Sequence, residues 1–173
     1  MRKLGEASTK TADELRAHLR VFPVKRHEHF AFNLCDFNFF RKSNGGNYLF
    51  FGSPRVLAPI VAVPYVLACE VVFFQGTRFF VKLRNHVAGI LIVRRRAKSL
   101  YISSLAIAPE YRKLGLGTFI LSFTEKLAVK ESKKWLELSV LKANSPARSL
   151  YGRAGFNVFR ERRRSLTLRK LVV

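Results

Sequence analysis

The chain has 173 residues, 49% of them hydrophobic and 16 of them Phe, enough to bury one core and too apolar to remain disordered. Its 32 Lys and Arg against 11 Asp and Glu give a formal charge of +21, which favours anionic company (nucleic acid, a ribosome, an acidic protein or a membrane face) and names no chemistry. The two cysteines, Cys35 and Cys69, stand in no paired spacing, which argues against a disulfide scaffold or a zinc knuckle and reads as a cytosolic chain.

In chain order, "MRKLGEASTK" begins basic but carries no apolar segment of the secretory kind. Thr11 to Glu14 forms a T-x-x-E capping box, with Leu15 and Leu19 following at helical spacing, so a short helix is expected over 12–19. "RVFPVK" then reads as a strand. His27 and His29 in "KRHEHF" lack the cysteines or carboxylates that would complete a metal site, and no metal is expected. "KSNGGN" at 42–47 is a loop. "VLAPIVAVPYVLAC" is uncharged, but its 14 residues contain Pro59 and Pro64. It is too short and too broken for a bilayer span, and it reads as core or pocket wall.

The second half is more regular. "TRFFVKL" (77–83) and "VAGILIVRRR" (87–96) are predicted as a hairpin, followed by a third strand over 100–108. Leu116, Ile120, Phe123 and Leu127 mark an amphipathic helix reaching to about Lys134. "WLELSVL" (135–141) is the next strand, parallel to the one before because a helix separates them. A short helix follows, with Ser145 as N-cap, Pro146 at N1 and Gly155 at C′. "FNVF" and "RSLTLRKL" close the chain as strands. The expected fold is mixed α/β (α+β), mostly antiparallel with one parallel crossover.

Between the third strand and the long helix lies "APEYRKLGLGTFIL". It lacks the Lys of a P-loop, and Ile120 stands where a dinucleotide fingerprint needs its third glycine. What remains is R-x-x-G-x-G at a strand-to-helix turn. Such a turn is either an anion cradle of converging N–H groups or a plain tight turn with a solvated basic face.

The segment from Ser104 to Leu121, together with "LELSVLKANSPARSLYGRAGF", resembles the general N-acetyltransferase (GNAT) superfamily. The first segment is similar to its R/Q-x-x-G-x-G/A acyl-CoA motif. The second is similar to N-x-x-A-x-x-L-Y-x-x-x-G-F, through Asn144, Ala147, Leu150, Tyr151, Gly155 and Phe156. The resemblance implies one GNAT domain over 1–173, with 1–76 as a divergent part shaping the acceptor site and 77–171 as the acyl-CoA core. It implies a splayed parallel strand pair, with acetyl-CoA as co-substrate.

By the same resemblance, the backbone of Leu105, Ala106 and Ile107 would bond the pantetheine amides. The loop Arg112, Lys113, Leu114, Gly115, Leu116, Gly117 and Thr118 would wrap the pyrophosphate, and Asn144 would touch the cofactor arm. Tyr151 would protonate the departing thiolate, and backbone N–H groups would stabilise the oxyanion. One branch of the family, the ribosomal-protein alanine acetyltransferases, has a Glu base where this chain has Ser139. Glu137, two residues earlier and on the same strand face, is then either a base acting through water or one half of a surface salt bridge. Ser103, Ser104 and His86 are weaker candidates. The acceptor is expected to be a primary amine on a protein N-terminus, a small amine or an RNA-linked one, with a ribosome or nucleic acid as a further partner. A non-catalytic acyl-CoA sensor is the other reading.

Overall fold

The computed structural model describes residues 17–25 and 76–172. Its elements are β1 (Leu19–Pro23), β2 (Thr77–Leu83), β3 (His86–Arg95), β4 (Ser99–Ile107), a 3-10 turn (Pro109–Tyr111), α1 (Leu116–Lys130), β5 (Trp135–Leu141), α2 (Ser145–Arg153), β6 (Asn157–Glu161) and β7 (Ser165–Leu171). The strands form one sheet in the order β1-β2-β3-β4-β5-β7-β6. Every neighbouring pair is antiparallel except β4 and β5.

One face of the sheet carries the main core. Leu91, Val93, Leu100, Ile102, Leu136, Leu138 and Val140 pack with Leu116, Ile120 and Leu121 of α1 and with Tyr151 of α2. Strand alternation puts apolar residues on this face and sends Tyr101, Glu137, Ser139 and Arg169 to the other.

Two features of this frame matter for function. The parallel pairing of β4 with β5 covers only Ser99 to Ile102 against Trp135 to Leu138, although both strands continue, to Ile107 and Leu141. In addition, the β3–β4 register jumps from Ile92↔Ser104 to Val93↔Ile102. Ser103 is therefore a bulge at the first position past the last parallel pair, a device that re-aims a strand and ends pairing.

The helix ends differ from the sequence expectations. Asn144, not Ser145, caps α2: its Oδ1 accepts from Ala147 N–H at 3.2 Å, and Pro146 falls one position later than expected. The α1 helix ends four residues before Lys134. Ser132 adopts φ 53, while Lys133 N–H bonds Ala128 C=O at 2.9 Å and Ser132 N–H bonds Val129 C=O at 2.9 Å. That is a Schellman stop built on serine, with no glycine to announce it. Of the helix expected over 12–19, residues up to 16 lie outside the described residues and Leu19 opens a strand. The two histidines of "KRHEHF", the loop at 42–47 and the uncharged segment 56–69 also lie outside them.

Candidate active site

Beyond Ile102 and Leu138 the facing edges of β4 and β5 no longer bond each other. Each strand keeps its outer partner, β3 for β4 and β7 for β5. The inner backbone groups of 103–107 and 139–141 therefore face an open gap. Unpaired strand edges of this kind take up an extended chain rich in amides. Leu105, Ala106 and Ile107 lie on this edge.

The end of β4 leads through the 3-10 turn into the glycine loop. Lys113 and Gly115 both have positive φ, 61 and 78, and Gly115 is the N-cap of α1. Arg112 N–H bonds Pro109 C=O at 3.2 Å, and the next amide along the chain to bond a carbonyl among the described residues is that of Phe119, which bonds Gly115 C=O at 3.1 Å. Among the described residues the six N–H groups from Lys113 to Thr118 bond no carbonyl. Left-handed turns followed by a helix N-terminus turn such groups toward one anion. Arg112 is not a free charge here: its Nε donates to Ile107 C=O at 3.1 Å and braces the loop against the strand end.

Gly117 serves a different purpose. A Cβ at that position would lie 2.8 Å from Leu150 Cδ2 and 3.6 Å from Ile107 Cδ1. Its missing side chain lets α2 approach the first turn of α1, so the two motifs, distant in sequence, share one end of the gap.

Tyr151 is held on α2 by the C-terminal signature. Gly155, at φ 84, donates to Gly152 C=O at 3.0 Å, and Phe156 N–H bonds Tyr151 C=O at 3.0 Å. The Phe156 and Tyr151 rings meet at 5.9 Å. This is a Schellman motif with its apolar contact, and it explains why G-F follows L-Y at that distance. Burial pushes the Tyr151 hydroxyl above its usual value near 10, by desolvation of the phenolate.

Glu137 and Ser139 share a face, as strand alternation required, but Glu137 is not free. Its side chain is 7% exposed. Oε2 accepts from Arg96 Nη1 at 3.0 Å, and Oε1 accepts from Arg169 Nε at 2.8 Å and Nη2 at 2.7 Å. The ion pair set beside the base reading is present, buried rather than on the surface, and it uses both oxygens. Sequence gave no sign of these partners, because 41 and 32 residues separate them from Glu137. Ser139 Oγ stands 3.5 Å from Thr167 Oγ1. Ser103 Oγ is buried with no hydrogen-bond partner among the described residues. His86 lies at the far start of β3, opposite Leu83. No cluster of His, Cys, Asp or Glu suited to a metal occurs among the described residues, and no helix there is long and apolar enough to cross a membrane.

The sequence matches the model of the acetyltransferase (GNAT) family over residues 56–156. The structure is similar to that of the PaiA N-acetyltransferase of Thermoplasma acidophilum in complex with coenzyme A. Its TM-score is 0.68 at 15% identity, covering 88% of this chain and 98% of that one. It is also similar to the N-acetyltransferase PseH of Campylobacter jejuni, with TM-score 0.60 at 14% identity over 90% and 99% of the chains. A third likeness is to the ribosomal-protein-S18-alanine N-acetyltransferase of Escherichia coli, with TM-score 0.58 at 15% identity over 89% and 94%. At these identities the likenesses establish the fold. The family model spans 101 of the 173 residues, and the chain belongs to the GNAT acetyltransferase family.

Proposed function

We propose that the protein is an acetyl-CoA-dependent N-acetyltransferase that moves an acetyl group onto a primary amine by direct attack. The observation that carries this reading is the gap itself: two strand edges that no longer pair with each other, leading to a row of amides at the start of α1 that bond no carbonyl among the described residues. An acyl-CoA arm is an extended, amide-bearing chain that ends in a pyrophosphate, and the gap offers partners for each part in that order. The coenzyme A complex of the PaiA enzyme, on the same fold, supports the fit.

In this reading the backbone of Leu105, Ala106 and Ile107 bonds the arm along β4. The amides from Lys113 to Thr118 hold the pyrophosphate, with Lys113 and the braced Arg112 adding charge. Asn144 caps α2 through Oδ1, which leaves its Nδ2 to donate to the arm. Bound acetyl-CoA supplies an acetyl group already activated as a thioester. Tyr151 keeps its proton at neutral pH and delivers it to the departing sulfur. Ser103, whose hydroxyl has no hydrogen-bond partner among the described residues, donates toward the oxygen on which charge develops. All five carboxylates among the described residues are partnered, so Glu137 is assigned to holding the strands and the amine proton leaves to water. The whole chain, 1–173, acts as one domain, with 77–171 as the acyl-CoA core and 1–76 shaping the acceptor side.

The test is thiol release from acetyl-CoA against a panel of N-terminal peptides, polyamines, amino acids and aminoacyl-RNA, with the acetylated product identified by mass. Release that depends on one class of amine supports the proposal. Tight binding of acetyl-CoA with transfer to none of them would replace it with an acyl-CoA sensor.

A further inference from the structure

The sheet face turned away from α1 and α2 carries a row of side chains that acyl transfer leaves unused. Tyr101 on β4, Trp135 and Glu137 on β5 and Arg169 on β7 lie on this face by alternation with core residues Leu100, Ile102, Leu136, Leu138 and Leu168. The Arg96 guanidinium sits 4.0 Å over the Tyr101 ring. Arg169 lies 4.9 Å from the Trp135 ring and 3.5 Å from that of Phe159, the bulged residue of β6. Three aromatic rings, on β4, β5 and β6, thus share one face with the Arg96 and Arg169 guanidinium groups set against them. Tyr101 and Trp135 are partly exposed, and Phe159 is 50% exposed.

This row adjoins a cationic end of the molecule. Two turns, β3–β4 and α1–β5, are stitched together by Lys133 Nζ donating to Arg96 C=O at 2.9 Å and Lys134 N–H to Lys98 C=O at 3.0 Å. The stitching gathers Arg95, Arg96, Lys98, Lys130, Lys133 and Lys134 at one end of the sheet. The acidic residues there are Glu131, bound by Arg95 at 2.7 Å, and Glu137, already bound by Arg96 and Arg169. Lys98, Lys130 and Lys134 make no ion pair among the described residues. Like charges this close oppose folding. The nine residues of β4 separate this end from the loop at Lys113, roughly 26 Å at strand rise, so the pyrophosphate does not supply the missing anion.

We infer that this end and the adjoining face form a binding surface for single-stranded nucleic acid. The cations track a phosphate backbone, and Tyr101, Trp135 and Phe159 offer stacking surfaces for unpaired bases. An acidic peptide would meet the charges but brings no aromatic bases to stack on the rings, and a duplex keeps its bases stacked on each other. The surface is separate from the acyl-CoA gap and is independent of the proposed function.

The test is fluorescence anisotropy of the full chain with labelled oligouridylate and oligothymidylate of about 20 nucleotides, and with a duplex of equal length. The titrations are run between about 50 and 200 mM salt. The single strands, of either sugar, bind more tightly than the duplex. The double variant Lys98→Ala/Lys134→Ala lowers the salt slope by about 1.4, two phosphate contacts at about 0.7 each. Phe159→Ala weakens binding by about 5- to 100-fold and leaves the slope unchanged. In all variants acetyl-CoA binding, measured on the same samples, is unaltered, so a loss there bears on the proposed function alone. Absence of binding at low salt, equal binding of the duplex, or equally effective competition by polyglutamate would overturn the inference.

Discussion

At the residue scale Tyr151 and Glu137 bear most directly on the proposal, and they were unequally legible in the sequence. Tyr151 was legible because its neighbours are: Gly155 and Phe156 are bonded to α2 so as to fix the turn that carries it. Replacing Tyr151 with Phe keeps the ring contact with Phe156 and removes the hydroxyl proposed as the acid. Turnover is expected to fall by about 10²- to 10⁴-fold, with acetyl-CoA affinity unchanged in calorimetry. Because burial raises the phenol above 10, its proton stays in place across the working range. For an N-terminal amine, kcat/KM rises to about pH 8, as the amine becomes neutral, and then holds flat until above about pH 10. The same shift has a stability sign. The native phenol keeps a proton that the unfolded chain loses near 10, so this stabilisation is complete below pH 10 and fades as pH rises further. Glu137 was legible only as a carboxylate on the right strand face, because its fixed role depends on two arginines distant in sequence, Arg96 in the β3–β4 turn and Arg169 on β7. Glu137→Ala leaves those cations facing each other. With Arg96 half in water, the expected loss in urea unfolding is about 2–3 kcal/mol. Glu137→Gln, which keeps part of the bonding, retains turnover in folded protein; loss of turnover there without loss of stability would restore it as a base.

At the element scale, strands were read better than helix ends. The predicted bounds of β2 and β5 match, because alternating Phe, Val and Leu bounded by polar turns leave little freedom. The two misread helix ends share a cause: the chain used residues other than the favoured ones, Ser132 in a left-handed position and Asn144 one residue ahead of an equally plausible Ser145. Glycine at Gly155 did announce its turn. There, φ 84 puts the whole cost of substitution in the backbone, since a Cβ would meet nothing closer than Lys170 Cε at 3.6 Å. Gly155→Ala is expected to cost about 1–2 kcal/mol. It should also lower turnover more than acetyl-CoA affinity, by shifting the Tyr151 turn, and equal losses in both would show that α2 has moved as a unit.

For the whole molecule, sequence order gave the parallel crossover but not the depth to which it is paired. Pairing over four residues and separation thereafter result from a bulge at Ser103 and from both strands having outer partners, and neither has a local signature. The charge was legible as a total and not as a distribution. Among the described residues the structure gathers Arg95, Arg96, Lys98, Lys130, Lys133 and Lys134 at one end of the sheet, beside a row of rings.

The central claim is that the gap and the glycine loop bind acetyl-CoA, and calorimetric titration of acetyl-CoA into the wild-type chain and Gly115→Ala tests it most directly. Gly115 sits at φ 78 at the head of α1, so a Cβ there strains the turn that aims the amides while leaving the strands in place. The account predicts one site per chain and a loss of at least about tenfold in affinity for the variant, equivalent to about 1.4 kcal/mol. No binding by the wild-type chain, or equal affinity in both proteins, would contradict it.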